Sequence, residues 1–325
     1  MKTKDYVLDY LEQNKGTYVS GSKIAEELGL SRNAVWKSIN VLKNEGFQIK
    51  SKTNNGYCLL EESDKLTTSG VAHGLNPTFK NLPLYLFETI DSTNKYAKEL
   101  AIDGIPNRTV VLANEQTNGR GRYGKTFESP ADTGVYISLI LKPSEFQAFN
   151  YSLLTLYTAV SIRRTIFRLT GKELGIKWVN DLFLGDRKIC GILTEAITNI
   201  ENQEFQWLII GIGLNVSTES TDFSDDVKNI AGSLFMDEEP TVSRNELVAG
   251  IINDLLSGLN ELNEEQLIAE YDRHLLWKNQ QVTVYQGNSQ SQGFVRGINQ
   301  QGHLLVETET GDLKALLSGD VSIKR

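Results

Sequence analysis

The stretch GRGRYGKT, residues 119–126, satisfies two nucleotide-binding patterns at once, the phosphate-binding GxxxxGK[ST] and the dinucleotide GxGxxG. Both need glycines that stand between a buried strand and the first turn of a helix, whose free amides hold phosphate. Here polar NEQTN separates the strand-like TVVLA from Gly119, and FESPADTG follows, where Pro130 and Gly134 oppose a helix. Neither pattern stands. What remains is a different chemistry: Gly119, Gly121 and Gly124 let a polar loop fold over a ligand, while Arg120 and Arg122 offer permanently charged forks to carboxylate or phosphate oxygens. Taken alone, Gly-Arg-Gly-Arg reads first as a solvated basic turn. GIGLNV, residues 211–216, also fails the dinucleotide pattern, because Val216 occupies the place of the third glycine.

The elements that must hold such a loop fall into three segments. Residues 1–63 read as three short helices and a hairpin. Tyr6, Val7, Tyr10 and Leu11 form one apolar helical face, Ile24, Ala25 and Leu28 a second, and Val35, Ile39 and Leu42 a third. Ser31 is placed to cap the third helix, with Gly29 and Gly46 ending the second and third. The tight LGLS between two helices, followed by β-like runs around Asn54-Asn55-Gly56, is winged helix-turn-helix spacing. Arg32, Asn33, Lys37 and Asn40 project from the third helix with Trp36 beside them, side chains able to reach phosphates and base edges. A three-helix head can instead dock protein or dimerise, and Trp36 can be partly core.

Residues 64–275 alternate strand-like runs with helices, the strongest helix being NYSLLTLYTAVSIRRTIFRL, where Leu153, Leu156, Tyr157, Val160 and Phe167 recur at helical spacing. Strands outnumber helices and many are hairpin-like, so the expected fold is α+β with a mixed or largely antiparallel sheet. Residues 276–325 are short strands between Gly/Asn/Ser/Asp turns and predict a small β-barrel docked on the body.

Composition bounds the rest. A chain of 325 residues with 40% hydrophobic and 23% charged residues is globular and multi-domain. Cys58 and Cys190 make neither a disulfide framework nor a zinc site. Acidic residues within the first helix and the lack of a long apolar run lead us to expect a soluble, cytoplasmic protein with no membrane association. The net charge of −8 is divided unevenly, +3 within residues 1–60 and −11 over the remainder. A mildly basic head on an acidic body suits nucleic-acid binding by the head alone.

Four further motifs change the weight of the Gly-Arg loop. DSTN at 91–94 precedes it, and KWVND at 177–181, KICGIL at 188–193 and GIGLN at 211–215 follow. In this order they resemble the biotin protein ligases, specifically the bifunctional form that is also a biotin operon repressor, whose motifs are GRGR, KWPND, KxxGIL and GIGxN. The resemblance covers essentially the whole chain. It implies a class II synthetase-like central domain and an SH3-like C-terminal barrel. It further implies a two-step reaction in which biotin and MgATP give biotinyl-5′-AMP, and the adenylate then acylates a lysine of a biotin carboxyl carrier domain of acetyl-CoA or pyruvate carboxylase.

By the same resemblance Ser92, Thr93, Asn94, Gln116, Arg120, Gly121, Arg122 and Gly191 line the biotin and adenylate site. Lys177, with Arg120 and Arg122, is the catalytic cation, facing the biotin carboxylate and α-phosphate. Phe127, Asn180, Asp181 and Asn215 fall at the nucleotide, and Ser31, Arg32, Asn33, Trp36 and Lys37 on DNA. No metal site is implied beyond Mg2+ carried with ATP. The bland readings are a strand-end lysine at 177, a helix cap at 92–94 and a turn at 181. Two departures stand out: Val179 replaces the motif's proline, and Phe127 stands where many relatives place Trp. A homodimer of the adenylate-loaded form on an inverted-repeat operator is expected, with strands such as QWLIIGIGLNV aligned side by side. A lipoate-type ligase and a sensor without catalysis are the competing functions.

Overall fold

A computed structural model describes residues 2–146, 150–198, 204–287 and 289–323. The chain divides into two compact units, residues 1–81 with 241–250 and residues 82–240 with 251–325.

The first unit holds helices α1 (Thr3–Gln13), α2 (Gly21–Glu27) and α3 (Arg32–Asn44), the hairpin β1 (Ile49–Lys52) and β2 (Gly56–Leu59), and α4 (Thr68–Gly74). Ser20 and Ser31 accept the amides of Lys23 and Ala34, satisfying donors that the first turns of α2 and α3 leave free. Asn54 and Gly56, at φ 66° and 97°, turn the wing. Val7, Leu11, Ile24, Val35, Ile39 and Leu42 meet in one core, each stabilising the fold by roughly 1.5–3 kcal/mol on burial. The expected winged helix-turn-helix is present. The unit runs past residue 63 because Arg244, 2% exposed, donates to the Asp64 carboxylate at 3.0 Å and to its carbonyl at 2.8 Å. Asn245 likewise clasps the backbone of Lys65 and Thr67.

The second unit is built on a seven-stranded sheet of order β3-β4-β5-β9-β8-β7-β6. Its strands are β3 (Leu84–Ile90), β4 (Thr109–Gln116), β5 (Gly134–Leu141), β6 (Gly175–Lys177), β7 (Asp181–Leu184), β8 (Arg187–Thr198) and β9 (Phe205–Asn215). Only β3 and β4 are parallel, joined by the crossover helix α5 (Thr93–Ile102). All eight positions of β5 are buried, as a largely apolar strand covered on both faces should be, and its one serine, Ser138, is hydrogen-bonded to Thr93 and Asn94. Helix α6 (Leu154–Thr170) buries Leu156, Tyr157 and Val160 as its periodicity predicts. Phe167 departs from that expectation: it is exposed, beside Arg164 and Arg168 on the solvent side of the helix, while Ile166 next to it is buried. Helix α7 (Arg244–Gly258) begins in the first unit and ends in the second, which also holds α8 (Glu264–Arg273).

β9 pairs with β5 on one side and β8 on the other along Leu208–Leu214. That overturns the expectation of this strand aligning with a second copy, since both of its edges are taken. The C-terminal segment forms a five-stranded antiparallel sheet of order β13-β12-β11-β10-β14. Its strands are β10 (Gln281–Gln286), β11 (Ser289–Ile298), β12 (Leu304–Glu307), β13 (Leu313–Leu316) and β14 (Asp320–Ser322). Among the described residues no helix is long and apolar enough to cross a membrane.

Candidate active site

The site begins with what β9 lacks. On a strand, alternate residues share a face, so Gly211, Gly213 and Asn215 point the same way. A Cβ at Gly211 would overlap the Asn94 amide, and one at Gly213 would overlap the Phe127 ring. Gly191, which pairs with Gly213 across β8 and β9, clears the same ring, its Cβ position lying 3.2 Å from it. Asn215 donates to the Gly232 carbonyl at 2.9 Å, and its buried Oδ1 has no hydrogen-bond partner among the described residues. Asn94 and Phe127, seated on these glycines, line a cavity of about 360 Å³.

One end is polar. Ser92 caps α5, so the first turn carries Thr93 and Asn94, both buried, into the cavity wall. Gln116 Oε1 accepts from the Thr93 amide at 2.9 Å and its hydroxyl at 3.1 Å. Ser138 lies within hydrogen-bond distance of the Thr93 hydroxyl and Asn94 Oδ1, while Asn94 Nδ2 donates to Glu195 at 2.9 Å. Asn94 is thereby fixed in one orientation, because the Glu195 carboxylate and the Leu193 carbonyl, which only accept, must face its nitrogen.

Over the cavity lies the Gly-Arg loop, folded as a small hairpin. Phe127 donates its amide to the Gly119 carbonyl and Gly121 to that of Lys125, with Tyr123 and Gly124 in the left-handed region at the tip. No helix follows, as the sequence context requires of a loop that is not a P-loop. Arg122 reaches across to Asn180 Oδ1 at 3.2 Å and stacks on Tyr123, whereas Arg120 is exposed.

Two lysines complete the cationic wall. Lys177, at the end of β6, donates to Asp320 at 2.6 Å; Lys188, on β8, pairs with Asp181 at 2.7 Å and stands 3.4 Å from the Cβ position of Gly191. Burial pushes the Asp320 carboxyl up, but Lys177 and Lys125 outweigh it and hold it at about 2. The Trp178–Val179 peptide, where the motif's proline is replaced, is cis, and the Trp178 indole donates to the Gly302 carbonyl at 3.0 Å.

Ser92, Thr93, Asn94, Gln116, Arg120, Gly121, Arg122, Phe127, Lys177, Asn180, Asp181, Gly191 and Asn215 all line this one cavity. Ser31, Arg32, Asn33, Trp36 and Lys37 are exposed, Trp36 at 54%, which places its ring outside the core. Sequence reasoning missed Lys188, although the KICGIL motif contains it, and also missed Lys125 and Asp320. Lys188 had a signal, being the lysine that opens the KICGIL motif; Asp320 had none. Among the described residues no three His, Cys, Asp or Glu side chains gather to hold a metal ion.

Known proteins match this arrangement along its length. The HTH domain family matches residues 3–58, the Biotin/lipoate A/B protein ligase family residues 86–215, and the Biotin protein ligase C terminal domain residues 279–324. Among curated proteins, Bifunctional ligase/repressor BirA of Bacillus spizizenii is 34% identical, covering 98% of this chain and 97% of its own. The protein of that name from Escherichia coli is 28% identical over 95% and 94%. Among solved structures, the biotin protein ligase from Aquifex aeolicus in complex with biotin and ATP aligns with a TM-score of 0.61 at 26% identity, over 75% of this chain and 99% of that one. With head, pocket and C-terminal sheet all matched in order, the chain belongs to the family of the bifunctional ligase/repressor BirA proteins.

Proposed function

We propose that the pocket joins biotin to ATP as biotinyl-5′-AMP, that the biotinyl group is then passed to a carrier-protein lysine, and that the winged head makes the loaded protein a biotin-responsive repressor. The observation that carries this reading is the cavity itself: a fixed hydrogen-bonding end at Thr93, Asn94 and Gln116, a glycine floor under Phe127, and a cationic wall between them.

The polar end suits the ureido group of biotin, which needs donors and an acceptor held in place. Phe127 offers a stacking face to adenine, with less area than Trp, and the free Oδ1 of Asn215 an acceptor for its amino group. The two substrates then meet anion to anion. A biotin carboxylate oxygen attacks the α-phosphorus, the bond from α-phosphorus to the bridging oxygen breaks, and pyrophosphate leaves. Lys188 and Lys177, with Arg120 and Arg122, neutralise the repulsion and the charge that grows at phosphorus. Mg2+ bound with ATP would supply further positive charge at the phosphates; of the lining carboxylates Glu128, Asp181 and Asp320, Asp181, beside Lys188, would be the one to hold it. In the second step the acceptor amine attacks the carbonyl carbon, loses its proton, and AMP departs with the electron pair of the broken C–O bond. The acceptor is the biotin carboxyl carrier domain of acetyl-CoA or pyruvate carboxylase.

One winged helix with a charge of +3 makes few phosphate contacts and binds DNA weakly alone. A homodimer formed by the adenylate-loaded protein joins two heads and turns the second contact into an intramolecular one, so the operator is an inverted repeat. Both activities belong in the cytoplasm, where ATP, carboxylase and operator coexist.

The test is ATP–pyrophosphate exchange with biotin or lipoate, alongside sedimentation and footprinting with and without biotin plus ATP. Exchange with biotin alone, and a mass increase with a two-fold footprint on loading, are expected. Exchange with lipoate instead, or none, overturns the ligase reading; identical mass and footprint in both conditions overturn the switch.

A further inference from the structure

A carboxylate from the C-terminal sheet stands inside the cationic wall. Asp320 opens β14, which pairs with β10, and follows Gly319 at φ +146°. Its two oxygens serve different elements: Oδ1 accepts from Lys177 at the end of β6, and Oδ2 accepts from Lys125, where the Gly-Arg loop closes, at 2.8 Å. The Lys177 side chain is largely buried and also lies 5.8 Å from the Trp277 ring centre; the Lys125 side chain is mostly exposed. One carboxylate thus ties loop, sheet and C-terminal module together, and both donors line the cavity that takes a polyanion.

We propose that Asp320 is a positioning residue for adenylation, holding the ammonium groups of Lys177 and Lys125 in an empty pocket and yielding them to the phosphates of ATP. The ion pairs are exposed enough on the Lys125 side to exchange partners readily, since such pairs are individually weak. A triphosphate and Asp320 compete for the same donors, so the carboxylate lowers ATP affinity while keeping the loop placed. Removing its charge strengthens ATP binding and weakens loop placement, which separates KM from kcat.

This inference rests on the adenylation reading, and wild-type protein without biotin-dependent exchange would overturn both. The decisive variant is Asp320→Asn, measured by pyrophosphate exchange against ATP concentration at several salt concentrations. KM for ATP should fall by about threefold to tenfold, with a steeper salt dependence, while kcat falls. Asp320→Glu should keep the wild-type KM. Asp312→Asn, an exposed carboxylate bonded within its own turn, should change nothing. If Asp320→Asn does not fold, Lys125→Gln, at an exposed position, should raise KM for ATP about threefold. An unchanged KM in Asp320→Asn, a Glu variant that behaves like Asn, an equal fall in Asp312→Asn, or an unchanged KM in Lys125→Gln each overturns the proposal.

Discussion

Helix α3 and the ligase pocket present the side chains proposed to bind their ligands in opposite ways. On α3 the exposed Arg32, Asn33, Trp36 and Lys37 come from six consecutive residues, displayed by helical spacing on a face whose opposite side, Val35 and Ile39, is core. In the pocket, Thr93, Gln116, Arg122, Lys177 and Lys188 come from five separate segments, and each is already engaged by another side chain. A DNA surface fits a ligand that brings its own geometry, so free side chains that adapt to phosphates and base edges suffice. A pocket that stabilises charge at one phosphorus atom needs groups aimed before the ligand arrives. Substitutions should therefore be abrupt in one region and graded in the other.

The largest contrast should come from Lys188. It pairs with Asp181 above the glycine floor and, on the proposed adenylation, would face the meeting of carboxylate and α-phosphate, so Lys188→Ala should slow adenylate formation by at least about 10²-fold, some 2.7 kcal/mol. Pyrophosphate exchange measures it, and a rate within a few-fold of wild type would return the main role to Lys177. Next comes Arg122, which bridges loop and sheet through Asn180. Arg122→Gly should still make the adenylate but release it about tenfold faster, an effect of a loosened lid that labelling of bystander lysines reports. Equal retention would mean that the loop is held elsewhere. The smallest effect should belong to the head: Arg32→Ala should weaken operator binding by about tenfold and flatten its salt dependence, with exchange activity intact. A matching loss of ligase activity would dissolve the contrast between the two regions.

The same contrast decides what was legible in the sequence. Ser31 and Ser92 as caps, Asn54–Gly56 as a turn and α3 as a two-faced helix all follow from rules that act within a few residues. Rejecting the P-loop needed only the residues on either side of it. The lining of the cavity was reached through motif order and not through geometry: nothing in the chain before Lys177 or after it announces that Asp320, 143 positions on, would be its partner. Arg244 and Asp64, 180 residues apart, were hidden as partners for the same reason. β9 was misread as an available edge because strand order in a sheet is a property of the whole assembly, which periodicity does not carry.

β9 also bears on how such a site is written into a gene. Of the motif GIGLN, two letters specify no functional group at all; they reserve room, Gly211 for an amide and Gly213 for a ring. Information is stored there as vacancy, and a single added carbon erases it as thoroughly as deleting a reactive side chain would. The intervening Ile210, Ile212 and Leu214 are buried, and for them only size and oiliness are dictated. The strand is thus a two-track tape, one track strict in what it omits and the other lenient in what it holds, and filling one reserved space would displace Asn94 or Phe127 and so reshape the pocket from its floor.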